Sequence, residues 1–248
     1  MKRIDRKCMV FMSTIYVIAL AVRLLKLIID PLLQRDAALY LSLSEMWQTS
    51  GNYSQSIASG TIVPPFPLFI FVKMIDYGFD AEIGGRSVSL VLSSLIPVLG
   101  SVISFKLFKN SLITIITTFI LIVHPVLLSY SIQPLRENFY LFFWGVTILA
   151  AINGIKNKRM KDWGICGLFL SLSFFCRYEA LEGLIIYPIL IVYLFLMKKI
   201  NRKNAIVSLI VFFATTFLSS ILLLATIDFD LTFIKNISKY SNIEVYLK

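Results

Sequence analysis

Three residues of this sequence are the best candidates for chemistry: Asp36, Glu137 and Arg177. A carboxylate can act as a general base, which contributes a factor of about 10² to 10⁴ to a rate. An arginine binds phosphate oxygens through two parallel hydrogen bonds. All three lie beside long apolar segments, where ionisable groups are costly and usually have a function. The residue types therefore indicate proton transfer and anion binding next to a membrane.

Seven apolar stretches position these residues, and each is long enough or nearly long enough to cross a bilayer. They cover residues 9–29, 87–105, 111–130, 138–155, 163–176, 183–197 and 205–227. Hydrophobic residues make up 58% of the chain and charged residues 15%, so a soluble core could not bury the apolar surface. We expect an all-α integral membrane protein with one membrane domain over residues 1–248. Cys8, Cys166 and Cys176 have neither disulfide nor zinc spacing.

The charges between the spans sort by sign. Basic residues fall in alternate connections, which the positive-inside bias assigns to the cytoplasm together with the N-terminus: Lys2, Arg3, Arg6, Lys7, Lys106, Lys109, Lys156, Lys158, Arg159, Lys161, Lys198, Lys199, Arg202 and Lys203. The net charge of +10 then reflects topology rather than nucleic-acid binding. The other connections hold Asp36, Glu45, Asp76, Asp80, Glu82, Glu137, Glu179, Glu182, Asp228 and Asp230. Chemistry that needs acids is expected on that outer side, in a multi-pass membrane protein.

The first outer connection, residues 30–86, is predicted to carry two helices that lie on the membrane surface. Residues 36–48 show helical spacing of Ala37, Tyr40, Leu41 and Ser44. Residues 62–75 contain three prolines and fall short of the roughly twenty residues that a span needs. We therefore expect a non-spanning helix that begins after the prolines. Residues 163–197 are predicted to form a hairpin with an outer tip at 177–183, and residues 228–248 an outer tail.

The order of motifs resembles membrane glycosyltransferases of the GT-C fold, in the protein-O-mannosyltransferase and aminoarabinose-transferase branch. The residues that carry the resemblance are Arg23, Asp36, Tyr40, Pro64, Pro65, Pro67, Arg86, the run Gln133 to Glu137 and the run Cys176 to Glu179. Two features depart from the family pattern. Ala37 stands where a second carboxylate is common, and the chain stops soon after its seventh apolar stretch, as expected of an N-terminal module, a minimal enzyme or one half of a complex.

The resemblance implies transfer of a sugar from a polyprenyl-phosphate donor to a hydroxyl of a protein, lipid or glycan. Asp36 would be the general base, and Glu137 a second acid that orients the acceptor or holds a divalent metal. Arg177 would bind the donor phosphate, with Lys73, Tyr40 and Glu179 in the same binding site. No cofactor beyond such a metal is indicated; the expected partners are the donor, membrane lipids and a further subunit.

Simpler roles remain open for these residues. Asp36 could pair with Arg35, Glu137 could favour a helix dipole, and Lys73 could reach to lipid headgroups. Arg177 could pair with Glu179 or Glu182 inside the hairpin. For Arg86 and Arg136, the alternatives are the same cleft or a capping role at the outer ends of spans. His124 is a lone histidine before a proline and is left out of the site.

Two other functions compete with an enzyme. A transporter should show charged or broken helices near the bilayer midplane and paired halves, whereas here the acids cluster at one surface. A non-catalytic membrane subunit or a truncated module remains open because of the short chain and Ala37. No glycine-rich nucleotide-binding loop appears in the sequence.

Overall fold

The computed structural model describes residues 6–51, 53 and 64–227, and within these ranges the chain is helical without strands. The four longest helices are α1 (Arg6–Ile29), α4 (Ala81–Phe108), α7 (Arg136–Asn157) and α10 (Arg202–Thr226). The shorter ones are α2 (Arg35–Ser50), α3 (Pro65–Asp76), α5 (Ser111–Val123), α6 (Pro125–Ser131), α8 (Met160–Phe174) and α9 (Gly183–Leu196). A 3-10 helix, Tyr178–Glu182, precedes α9. The predicted tail at 228–248 lies outside the described residues.

The long helices form an all-α integral membrane bundle. In the described part of the chain, five segments are long and apolar enough to cross a membrane: Met9–Ile29, Ala81–Phe108, Arg136–Asn157, Tyr178–Leu196 and Arg202–Thr226. A sixth predicted span is broken, since α5 and α6 meet at an angle of 54°. The break falls at His124 and Pro125, because proline cannot continue the hydrogen bonds of a helix.

The seventh predicted span is α8, which has only 15 residues. It packs most extensively against α7 and α10, and glycines allow the close approach. A Cβ atom on Gly154 would lie 2.8 Å from the ring of Trp163, and one on Gly167 would lie 2.5 Å from the carbonyl of Phe212. The backbone after α8 is buried at Phe175 and Cys176, which fits the rule that irregular backbone at membrane depth must be covered by protein.

Two short helices lie between α1 and α4, as predicted for the first connection. The structure corrects the expected start of the second one: α3 begins at Pro65 and contains Pro67, instead of starting after the prolines. Both prolines lie in the first turn, where backbone N–H groups have no partner within the helix, so they cost nothing there. With 12 residues, α3 is too short to span a bilayer.

Aromatic packing holds α2 and α3 against the bundle. Tyr40 and Trp47 of α2 join Leu68 and Phe71 of α3 in one buried cluster with Phe139 of α7. The rings of Phe71 and Phe139 meet edge to face with centroids 5.6 Å apart. The start of α3 also reaches the end of α8, since the backbone N–H of Phe66 donates to the carbonyl of Phe175 at 3.3 Å. The two helices therefore cover the place where α7 begins and α8 ends.

We call this end of the bundle, where α2 and α7 begin and α8 ends, the acidic end. The opposite end, called the basic end, joins α4 to α5, α7 to α8 and α9 to α10 through lysine-rich connections. Asp162 is a carboxylate at the basic end, in the first turn of α8. Its side chain is buried, and Oδ2 lacks a hydrogen-bond partner among the described residues.

Candidate active site

Tyr40 lies near the charged residues at the acidic end. Its side chain is buried, and the charges of Arg136, Glu137, Asp36 and Arg177 all act on its hydroxyl. Burial is the main reason that the pKa of Tyr40 is raised well above its ordinary value. At neutral pH the hydroxyl is thus protonated and can donate a hydrogen bond. Four residues predicted for the site, Asp36, Tyr40, Glu137 and Arg177, are brought together here.

Asp36 occupies the first turn of α2, one helical turn before Tyr40, and its side chain is exposed. The positive N-terminal end of a helix favours a carboxylate at this position. The ion pairs described for residues 6–51 and 64–227 do not include Asp36, and so do not show the alternative pairing with Arg35. An exposed carboxylate in this position is open to an incoming hydroxyl group.

A buried glutamine positions the segment that leads into Asp36. Gln133 is 2% exposed, and its Oε1 accepts a hydrogen bond from the backbone N–H of Gln34 at 3.0 Å. Its Nε2 donates to the carbonyl of Leu32 at 2.8 Å. The start of α2 is therefore tied to the turn from which α7 and Glu137 emerge.

Arg86 strengthens the same junction from α4. Its guanidinium donates to the carbonyl oxygens of Pro31 and Ile132, and its Nε lies 2.8 Å from Oε1 of Glu82. The side chain is only 8% exposed, and these contacts favour the structural alternative over a place in the cleft. Asn138 adds a further link, because its amide donates to the carbonyls of Tyr130 and Gln133.

Glu137 lies between two guanidinium groups. Its Oε1 is 3.4 Å from Nε of Arg136 and 3.5 Å from Nη1 of Arg177. The carboxylate is also in the first turn of α7, so the predicted helix-start role applies as well. With 19% of its side chain exposed, Glu137 is positioned to hold both arginines rather than to contact bulk solvent.

Arg177 and Glu179 form a two-point ion pair at the hairpin tip. Nη2 of Arg177 lies 2.6 Å from Oε1 of Glu179, and its Nε lies 3.3 Å from Oε2. The guanidinium also lies over the ring of Tyr140, 5.5 Å from its centroid. The ion-pair alternative for Arg177 is thus present in the structure, together with the contact to Glu137.

For Arg136, which the sequence left open between the cleft and a capping role, the contact with Glu137 favours the cleft. The side chain of Arg136 is 32% exposed, and its described contact is through Nε to Glu137. Within the described part of the chain, its two terminal nitrogens form no hydrogen bond or ion pair with a carboxylate or carbonyl, and they can donate to a bound anion. Of these two neighbours, Glu137 was predicted to belong to the site, whereas Arg136 was expected mainly to cap α7.

Lys73 stands apart from this group. Its Nζ pairs with Asp76 at 2.8 Å and lies over the ring of Phe69, and no described contact joins it to the other candidates. Within the described residues, no group of three or more His, Cys, Asp or Glu side chains could hold a metal ion. Glu137 as a metal ligand stays a prediction.

An all-α membrane bundle of this kind is consistent with a membrane glycosyltransferase of the GT-C type. The chain belongs to the dolichyl-phosphate-mannose-protein mannosyltransferase family, whose model matches residues 63–224. The match contains Lys73, Glu137, Arg177 and Glu179, whereas Asp36 and Tyr40 precede it. No curated protein and no solved structure matches the chain.

Proposed function

We propose that this mannosyltransferase-type glycosyltransferase takes its sugar from a polyprenyl-phosphate donor and transfers it to a hydroxyl acceptor at the acidic end. The observation that carries the proposal is the meeting of Arg136 and Arg177 at Glu137, beside Tyr40 and Asp36. Two guanidinium groups at the edge of an apolar bundle suit an anion that is attached to a lipid chain. The exposed carboxylate of Asp36 supplies the base that a hydroxyl acceptor needs.

The reaction then proceeds by one displacement. The acceptor oxygen attacks the anomeric carbon while Asp36 takes its proton, so that a new C–O bond forms and the bond from the anomeric carbon to the phosphate oxygen breaks. The departing polyprenyl phosphate keeps the electron pair of that bond. Arg136 and the N–H groups of Arg177 that Glu179 does not use stabilise its negative charge, which is the transition-state role of preorganised donors.

Glu137 and Tyr40 position these groups. Glu137 holds both arginines with one carboxylate oxygen, so the cations stay close together despite their mutual repulsion. The neutral hydroxyl of Tyr40 can donate a hydrogen bond to a sugar or phosphate oxygen without adding charge. Glu179 holds the guanidinium of Arg177 through its two-point contact.

The acidic end is proposed to face away from the cytoplasm. The support is the collection of lysines and arginines at the opposite end, as the positive-inside bias requires. A single cysteine in place of the exposed Asp80, in a variant without other cysteines, should react with a membrane-impermeant thiol reagent from outside intact cells. A cysteine at Lys158 should react only after the membrane is opened, and the reverse pattern would contradict the orientation.

The direct test is transfer by the purified full chain from a set of radiolabelled polyprenyl-phosphate sugars, mannose first. Product should form with a polyprenyl-phosphate sugar and not with the matching nucleotide sugar. The double variant Arg136→Gln and Arg177→Gln should lose donor binding, while an Arg159→Gln variant at the basic end should keep it. Donor binding that the double variant retains would remove the arginines from the proposal.

A further inference from the structure

A groove at the basic end lies far from the site described above. It runs between α1, α4 and α5, has a volume of about 570 Å³ and is lined mainly by apolar side chains, among them Phe11, Val102, Phe105 and Ile115. This volume falls within the range of roughly 300 to 1,000 Å³ that is usual for small-molecule sites. Phe11, Phe105 and Ile115 are each between 45% and 56% exposed, so the groove opens toward the surrounding lipid.

Lysines lie at the mouth of this groove. Lys106 and Lys109 belong to its lining, and Lys156 is close enough for their charges to act on it. The Nζ atom of Lys156 donates to the backbone carbonyl of Lys106, which brings the end of α7 to the end of α4. Lys109 ends α4 with a positive φ of 53° and places its ammonium over the ring of Phe105, 5.4 Å from the centroid.

The positive charge at this mouth is not balanced within the described part of the protein. The ion pairs found there involve none of Lys106, Lys109 and Lys156. Three cations close together, next to an apolar channel at the boundary of a membrane bundle, repel one another unless an anion joins them. A molecule that is negatively charged at one end and apolar along the rest would match both the lysines and the apolar lining.

We propose that this groove binds an anionic phospholipid from the leaflet at the basic end, with an acyl chain along Phe11, Val102 and Ile115 and the phosphate between Lys106 and Lys109. The apolar lining accounts for the chain, and the lysines account for the headgroup, since basic residues next to a membrane attract anionic lipids. The site is separate from the donor-binding residues and does not rest on the proposed transfer reaction.

Native mass spectrometry of the full chain in detergent tests the proposal with two probes of equal acyl length, phosphatidylglycerol and phosphatidylcholine. The parent chain should retain the anionic lipid in preference to the zwitterionic one. The double variant Lys106→Gln and Lys109→Gln should lower this preference by about fivefold for each lysine removed. The matched control is Lys198→Gln with Lys199→Gln, the same change of charge at the same end but outside the groove, and it should keep the parent preference.

The apolar part of the groove has its own pair of variants. Ile115→Trp should fill the groove and reduce retention of both lipids, whereas Ile116→Trp, on an exposed neighbouring position that does not line it, should not. The proposal would be overturned if the Lys106 and Lys109 double variant kept the parent's preference for the anionic lipid. It would also be overturned if the Lys198 and Lys199 control lost as much of that preference as the groove variant. Retention unaffected by Ile115→Trp, or occupation of the groove by a second copy of the chain without bound lipid, would overturn it as well.

Discussion

Arg177 and Glu137 meet at the acidic end although they come from different parts of the chain: Nη1 of Arg177 lies 3.5 Å from Oε1 of Glu137. The contact joins the hairpin tip after α8 to the first turn of α7. Because Glu179 also holds Arg177 by two contacts, the guanidinium is fixed by carboxylates on two elements. An arginine held in this way is pre-organised to bind an anionic ligand through two parallel hydrogen bonds. Substitutions of Arg177 can test this geometry.

Replacing Arg177 should separate the effect of charge from that of geometry. Arg177→Ala is expected to raise the KM for a polyprenyl-phosphate donor by about tenfold or more, since a charge-assisted hydrogen bond contributes about 1.5 to 3 kcal/mol. Arg177→Lys should lie between Ala and the parent, because it retains the charge and loses the fork. Arg159→Ala, at the basic end, serves as the control. Donor binding equal to the parent in both Arg177 variants would make this residue purely structural.

Gln133 is predicted to link stability with turnover. Gln133→Ala removes two buried hydrogen bonds, to Gln34 and Leu32, at a cost of about 2 kcal/mol. It should also lower kcat, because the segment that positions Asp36 is released. Gln133→Glu keeps an acceptor for the N–H of Gln34 but buries a carboxylate against the carbonyl of Leu32, so its thermal midpoint should fall at least as far as that of Gln133→Ala. Unchanged kcat in a destabilised Gln133→Ala variant would separate this junction from catalysis.

The junction also shows what the sequence could and could not predict. Apolar length and helical spacing were sufficient for the membrane class and for the two short helices of the first connection. The two hydrogen bonds of Gln133 join segments about a hundred residues apart in sequence, and neither periodicity nor motif spacing indicates such a pair. Arg136 was assigned to capping for the same reason, because its neighbours come from elsewhere in the chain.

The start of α3 was misjudged for a different reason. Prolines were treated as helix breakers, but their effect depends on position, and the first turn accepts them. With only 15 residues, α8 is likewise shorter than the roughly twenty residues that a membrane span needs. Its length becomes understandable only once α7 and α10 cover it.

Gly167 should show how closely α8 packs on α10. A methyl group there would meet the backbone carbonyl of Phe212 at 2.5 Å, and backbone cannot move aside easily. Gly167→Ala is therefore expected to destabilise the bundle by about 1 to 3 kcal/mol. Gly164→Ala is the matched variant, since its methyl would meet a side-chain carbon of Val211 at 3.2 Å. Thermal unfolding in detergent should rank Gly167→Ala below Gly164→Ala, and equal midpoints would contradict this packing.

Asp36 gives the most direct test of the proposed mechanism. Asp36→Asn keeps the size of the side chain and removes the basic carboxylate, so transfer should fall by at least about a hundredfold. Because Asp36 is exposed and has no ion pair among the described residues, folding and donor binding should survive the change.

Asp76→Asn is the matched control for the Asp36 variant, because it removes another carboxylate from the same connection, one that pairs with Lys73. Transfer rate, donor KM and thermal midpoint should be measured for both variants. Loss of the Asp36→Asn protein from the membrane would indicate a structural role for the carboxylate. Near-normal turnover by a well-folded Asp36→Asn would move the base to Glu137, whose carboxylate would then have to release Arg136 or Arg177 before it could accept a proton.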